Sequence, residues 1–187
     1  LPLLGLLGAA LFSWISSLDV ALSFYHLFRL VALFALYLFI VNEVRSPLWF
    51  ALPLGIQVFL QSVIAIGQSL AQRDLGVWWL GEYALDPNAP FMSILEVDGV
   101  RFLRAYGLSD HPNILGGCLT FGMLVLLCVI VTRDSKKWLR IFATISIIPA
   151  SAALLLTYSR SAWAALAVGS LFLFAVTILQ RNPQGFW

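Results

Sequence analysis

Six stretches of this chain are apolar for close to the roughly 20 residues that a helix needs to cross the hydrocarbon core of a bilayer. They cover residues 1–17, 21–41, 48–71, 113–132, 138–157 and 161–180. Lipid offers main-chain N–H and C=O groups no partner, so segments of this length must satisfy those groups internally, as helices. The residue-by-residue alternation of a barrel strand is absent. With 61% hydrophobic and 11% charged residues, the 187-residue chain is too poor in polar groups to clothe a water-soluble surface, for which about 25% charged residues is usual. The expectation is an all-α polytopic membrane protein of about six transmembrane helices with one long outer loop. A net charge of +2 spread over scattered cations leaves no footprint for nucleic acid.

The chain opens on Leu1 inside an apolar stretch that lacks the basic flank and cleavage pattern of a signal peptide, and closes on "QRNPQGFW" past the sixth segment. It reads as a fragment in which residues 1–187 form a single transmembrane domain. Cys118 and Cys128 fall in one segment and point to different helical faces, so neither a disulfide nor a metal site is expected of them.

Orientation follows from the cations. The short link "RDSKKWLR" holds Arg133, Lys136, Lys137 and Arg140, which marks it as cytoplasmic by the positive-inside rule. Alternating crossings place Arg45 and Arg181 on that side too. The other side receives the Asp19 turn, the loop of residues 72–112 and the "TYSRSA" turn near residue 159. Acids predominate there: Asp19, Asp74, Glu82, Asp86, Glu96, Asp98 and Asp110. Arg73, Arg101, Arg104 and Arg160 nevertheless lie among them, against the rule.

The 72–112 loop is long for an unstructured connection, and such loops tend to be functional or disordered. Its aromatics Trp78, Trp79, Tyr83 and Phe91 suggest that part of it lies at headgroup level. In "ILEVDGVRFLRAYG", Asp98-Gly99 separates two short alternating runs, the turn chemistry of a two-residue hairpin. Arg101 and Arg104 would then leave opposite faces of the second strand, and only one of them need point at a site.

The segment "RAYGLSDHPN", residues 104–113, gathers Arg104, Asp110 and His111 just before an apolar run. Pro112 suits the first turn of a helix, where its missing N–H costs nothing, and Asp110 or Ser109 can cap that helix. The helix N-terminus would favour a phosphate. Arg104 can grip phosphate oxygens in a bidentate fork, and His111 can hold or move a proton near neutral pH. The plainer alternative is an Arg104–Asp110 pair with His111 as a boundary cap. "TYSRSAW" adds Arg160 between two apolar runs with almost no connector. A charge so close to lipid must snorkel, find a partner or line a wet cavity, and a second phosphate clamp converging with Arg104 is the functional reading. Ser159 and Ser161 add hydroxyl donors.

Gln57, Gln61, Gln68 and Gln72 are spaced to share one helical face, which should look inward. Gln57 and Gln61 suit interhelical hydrogen bonds, whereas Gln68 and Gln72, near the outer end, are candidates for substrate hydroxyls. His26 and Arg29 share a face of the second segment. Arg29 has no acid nearby in sequence, so a bound phosphate, a carbonyl cluster or Asp19 must answer its charge.

"RAYGLSDHPNILGG" followed by "LLLTYSRSAWAALAVG" resembles the O-antigen ligase and polymerase family of polytopic membrane glycosyltransferases. The residues that carry the likeness are Arg104, Gly107, His111, Pro112 and Asn113, then Ser159, Arg160 and Ser161. "VFLQSVIAIGQSLAQRDLG" is similar to the segment that precedes the outer loop in such proteins. The resemblance implies part of a GT-C-like fold in a bacterial plasma membrane, with its active face extracytoplasmic. It implies metal-independent transfer, without a cofactor, of a glycan from an undecaprenyl-pyrophosphate carrier to an acceptor sugar or glycolipid. Arg104 and Arg160 would be catalytic, stabilising the pyrophosphate leaving group. Arg29, Arg101, His111, Asn113, Ser159, Gln68 and Gln72 would bind substrate. The family carries a further functional His in a later outer loop, so His111 is not given that role. Two other readings compete: a transporter or flippase of an anionic glycolipid using the same arginines, and a scaffold bundle. Transport by alternating access would call for helices broken near the midplane, for which Gly55 and Pro149 are the candidates.

Overall fold

A computed structural model describes residues 2–15, 17–43, 47–132 and 135–181. These form helices α1 (Pro2–Ile15), α2 (Val20–Glu43), α3 (Pro47–Ala71), α4 (Pro112–Val131), α5 (Lys137–Leu156) and α6 (Arg160–Arg181), with a hairpin of β1 (Ile94–Val97) and β2 (Val100–Leu103) between α3 and α4. Arg45 and Arg133 lie outside the described residues, and Arg181 is described in its main chain alone.

Five helices, α2 to α6, are long and apolar enough to span a bilayer, so the chain is a multi-pass membrane protein. The described part of the first expected span, α1, has 14 residues, about 21 Å of rise at 1.5 Å per residue. That falls short of a hydrocarbon core of about 30 Å. α3 and α5 run without a break through Pro53, Gly55 and Pro149.

The chain divides into two compact units, Leu1–Pro47 and Leu48–Trp187. In the first, α1 and α2 form a helical hairpin in which Asp19 Oδ1 accepts from Leu22 N at 2.9 Å and so caps α2. Asp19 is therefore occupied at a helix end. Arg29 and His26 belong to this unit and are exposed on α2.

The second unit is built around α4. Leu115, Leu119, Met123 and Leu126 are buried along it, against Val58 and Ala65 of α3, Ala143, Ala150 and Ala153 of α5, and Ala162 of α6. Lipid tails are as apolar as these side chains, so association must come from close contact, which small residues permit. A Cβ at Gly122 would meet Val58, and one at Gly55 would stand 3.1 Å from Phe142 Cζ. Thr120 adds a hydrogen bond to the Ala162 carbonyl at 3.1 Å. Gly116 faces Ala162 and Ser159, and Gly169 faces Leu124. The order of these two contacts makes α4 and α6 parallel, with their N-termini at one end.

The hairpin pairs Ile94 with Leu103 and Glu96 with Arg101. Asp98 and Gly99 both have positive φ, 52° and 77°, as a type I′ turn requires. Leu85, Leu103 and Tyr106 give the loop its own small core, and the Tyr106 hydroxyl accepts from Ser93 N at 2.6 Å.

The Gly122 contact yields a test of the packing. Val58 is β-branched and has little rotameric freedom, so Gly122→Val should cost about 1–3 kcal/mol, read as a lower thermal midpoint in detergent. Gly117→Ala, where a Cβ meets nothing within 4 Å, should leave that midpoint unchanged or slightly raised.

Candidate anion-binding site

Residues 104–111 cross the end of the helix bundle as irregular backbone, and irregular backbone at a membrane boundary must find partners for its polar groups. Two glutamines of α3 and Gln72, just past its end, supply partners to the strap and to the last residue of β2. Gln72 Oε1 accepts from Leu103 N at 2.7 Å, and Gln61 Oε1 accepts from Leu108 N at 2.8 Å. Between them, Gln68 Oε1 accepts from Gly107 N at 2.7 Å while its Nε2 donates to Gly107 O at 2.9 Å. Gly107 has φ of +60°, and a Cβ there would stand 3.0 Å from Leu115 Cδ1, so a residue without a side chain is required. On the other flank Ala105 N donates to Leu156 O at 3.0 Å.

Gln68 also donates to Glu82 Oε1 at 2.8 Å. The Glu82 carboxylate is buried and accepts from Leu75 N at 2.8 Å and Val77 N at 2.7 Å as well. Three N–H donors compensate its charge in place of a cation. Gln68 and Gln72, candidates for substrate contact, are bonded to the protein's own main chain, and Gln68 also to Glu82. Gln68 is fully buried.

This strap delivers Arg104. Its Nε donates to Thr157 O at 2.7 Å, Nη1 to Ser93 Oγ at 2.8 Å and Nη2 to Asn113 Oδ1 at 2.8 Å. All three partners are neutral oxygens, so Arg104 does not pair with Asp110. Burial lowers the guanidinium's pKa from its ordinary value, with an opposing effect from Tyr106, and an arginine so placed remains a cation at neutral pH. Three of its five N–H donors are used, which leaves two, and among the described residues no acid pairs with its charge.

Two helix N-termini meet at the same place. α4 begins at Pro112, and its cap is His111, whose Nδ1 accepts from Asn113 N at 3.1 Å. The cap expected at Asp110 or Ser109 is thereby moved forward. Pro112 at the first helical position makes its predecessor the capping residue, and an unprotonated imidazole nitrogen can do what a carboxylate does. Nε2 then carries the proton of the neutral ring and stays available as a donor. α6 begins immediately after a turn in which Tyr158 has φ of 50° and Ser159 N donates to Thr157 Oγ1 at 3.2 Å. Ser159 is buried, its Oγ 3.3 Å from that of Ser161. Arg160 is the first residue of α6 and exposed. Among the described residues its guanidinium has no hydrogen-bond or ion-pair partner.

The structure therefore brings together Arg104, Asn113, His111, Ser159 and the turn that carries Arg160, since Arg104 is tied to Thr157 of that turn. A cleft of about 370 Å³ opens beside them between α4 and α6. Asn113 and Ser161 line it together with Gly117, Phe121, Leu124 and Ala165. Arg101 stands apart, exposed on β2 opposite Glu96, and Arg29 belongs to the other unit. Glu82 is the residue that sequence reasoning passed over, counted only as one acid among several. What the arrangement can do is hold a phosphate-bearing group: a guanidinium with donors to spare, two helix N-termini and hydroxyls converge at one corner.

Comparison of the chain with family models, with curated proteins and with solved structures gives no match.

The strap should come loose when its central clamp is removed. Gln68→Leu leaves the Gly107 N–H and C=O without partners, at about 1–3 kcal/mol for each orphaned group. Hydrogen exchange at residues 104–111 should accelerate while the mid-helix amides of α4 and α5 keep their protection.

Proposed function

We propose that this chain is part of a membrane glycosyltransferase that moves a glycan from an undecaprenyl-pyrophosphate carrier to an acceptor sugar, as an O-antigen ligase or polymerase does, and that it forms part of a GT-C-like fold. The observation that carries the reading is the state of Arg104: a half-buried guanidinium held by three neutral oxygens, with two donors left and two helix N-termini beside it. Such a corner suits a diphosphate. It is made of the residues on which the likeness to that family rests.

In the reaction so inferred, an acceptor hydroxyl attacks the anomeric carbon, and its proton passes to water or to the departing pyrophosphate. The bond from that carbon to the pyrophosphate oxygen breaks, and negative charge grows on the departing diphosphate. Arg104, Asn113 and the N-termini of α4 and α6 are preplaced where that charge develops, so no reorganisation is needed at the moment of transfer. Arg160, at the mouth, supplies the second cation, and His111 Nε2 and Ser159 add hydrogen-bond capacity. Gln68 and Gln72 hold the strap and are not assigned substrate contacts.

The extracytoplasmic, plasma-membrane orientation is part of the same proposal. It is supported by the basic link after α4: Lys136, Lys137 and Arg140 follow the C-terminal end of that helix, whereas the anion corner lies at its N-terminal end.

Arg160 gives the cleaner test, because it is exposed and holds nothing in place, whereas loss of Arg104 also removes three structural bonds. Arg160→Ala should lower transfer from a pyrophosphate-linked glycolipid by about 10²-fold or more, the usual scale for a lost charge-stabilising donor, with an unchanged unfolding midpoint. Arg160→Lys should also be impaired, since an ammonium lacks the planar fork. Wild-type turnover in both variants would remove Arg160 from the mechanism. Movement of intact glycolipid between leaflets, with no new glycosidic bond, would make the protein a transporter.

A further inference from the structure

One feature of the loop plays no part in anion binding. Trp78, Trp79 and Leu80 form a single 3₁₀ turn and stand 77%, 69% and 44% exposed. Three consecutive large apolar residues held outward are costly in water, and a patch of this kind marks an interaction surface. The turn is held out by its own base. Glu82 draws the Leu75 and Val77 N–H groups inward onto its carboxylate, and Gly81, with φ of +92°, closes the reversal behind Leu80. The main chain is thus tied to the protein while the indoles face away from it.

We infer that the Trp78–Leu80 turn is a membrane-interface anchor, and that its partner is the phosphate-bearing headgroup layer of the bilayer in which the helices are embedded. Three observations select that partner. The first is depth. Glu82 is bonded to Gln68, three residues before the end of α3 at Ala71, or about 4.5 Å of helix rise. The base of the turn therefore sits at the level where a membrane span ends. The second is continuity, because the apolar surface of α3 runs up to this point with Leu70 82% exposed. The third is charge. Arg73, five positions before Trp78 in the chain, is exposed, while Glu82 is occupied as above and Asp74 accepts from Leu85 N at 3.3 Å. An exposed cation in the same short segment as two indoles, whose rings prefer the boundary between hydrocarbon and water, fits lipid phosphates.

The anchor shares Gln68 with the Gly107 clamp. Fixing the depth of the turn therefore fixes the depth of the strap that carries Arg104. This inference does not depend on glycan transfer and stands or falls separately.

Site-directed spin labelling tests it on the full chain in nanodiscs of phosphatidylcholine and phosphatidylglycerol, with Cys118 and Cys128 replaced by Ser. Labels at Leu80→Cys and, separately, at Trp79→Cys should show a higher ratio of oxygen to water-soluble nickel-chelate collisions than a label at Glu96→Cys in the exposed β1 strand. Ratios at 79 and 80 no higher than at 96 would overturn the inference. An independent measurement leaves the turn unlabelled: in Trp78→Phe/Trp79→Phe, the tryptophan emission lost relative to wild type should be the component quenched by lipids brominated near the glycerol backbone. Loss of an emission component that such lipids do not quench would overturn it equally.

Discussion

The main-chain N–H and C=O of Gly107 both end on one side chain, the carboxamide of Gln68, which is fully buried and simultaneously bonded to Glu82. At the end of a helix bundle in lipid, a stretch of irregular backbone can persist only if its polar groups are satisfied by protein. The Gln68 clamp, with Gln61 and Gln72 on either side, is how this chain meets that demand. The strap it holds carries Arg104 into reach of Thr157, Ser93 and Asn113, and leads directly into the His111 cap of α4. The corner around Arg104 is thus a consequence of how the loop's hydrogen bonds are closed.

The helices contribute by standing close and parallel. Gly116 lets the second turn of α4 approach Ser159 and Ala162 of α6, and Gly169 repeats the device against Leu124. Two N-terminal ends, each with a partial positive charge, therefore flank the same guanidinium. Packing of small residues in the membrane and electrostatics at its edge are one arrangement here: an α4–α6 contact between larger side chains would separate the very groups that a diphosphate would bridge.

Much of this was legible in the residues, and what was not has physical reasons. Apolar runs near 20 residues leave a chain in lipid no choice but helix, so the spans from α2 to α6 stand where hydropathy puts them. Of the first run, 14 residues are described as helix. Asp98-Gly99 announced the hairpin, since few other pairs accept two positive φ angles in succession. The glutamine stripe declared its common face but not its partner: Gln68 meets a main chain 39 positions away, which no local pattern encodes. Nor does anything local set Glu82 apart from the other acids of the loop. Of the two readings of the α4 cap, the plainer one, His111, holds through one ring nitrogen, whereas Asp110 and Ser109, the customary choices, do not cap it.

The central claim is that this corner recognises the diphosphate of a lipid-linked donor. The most direct measurement is hydrogen exchange of the membrane-reconstituted protein with farnesyl diphosphate and, in parallel, with farnesol. The account requires the diphosphate to slow exchange at residues 104–113 and in the 157–162 turn, with farnesol leaving both unchanged. Equal protection by the two lipids, or protection by the diphosphate confined to other segments, would contradict it.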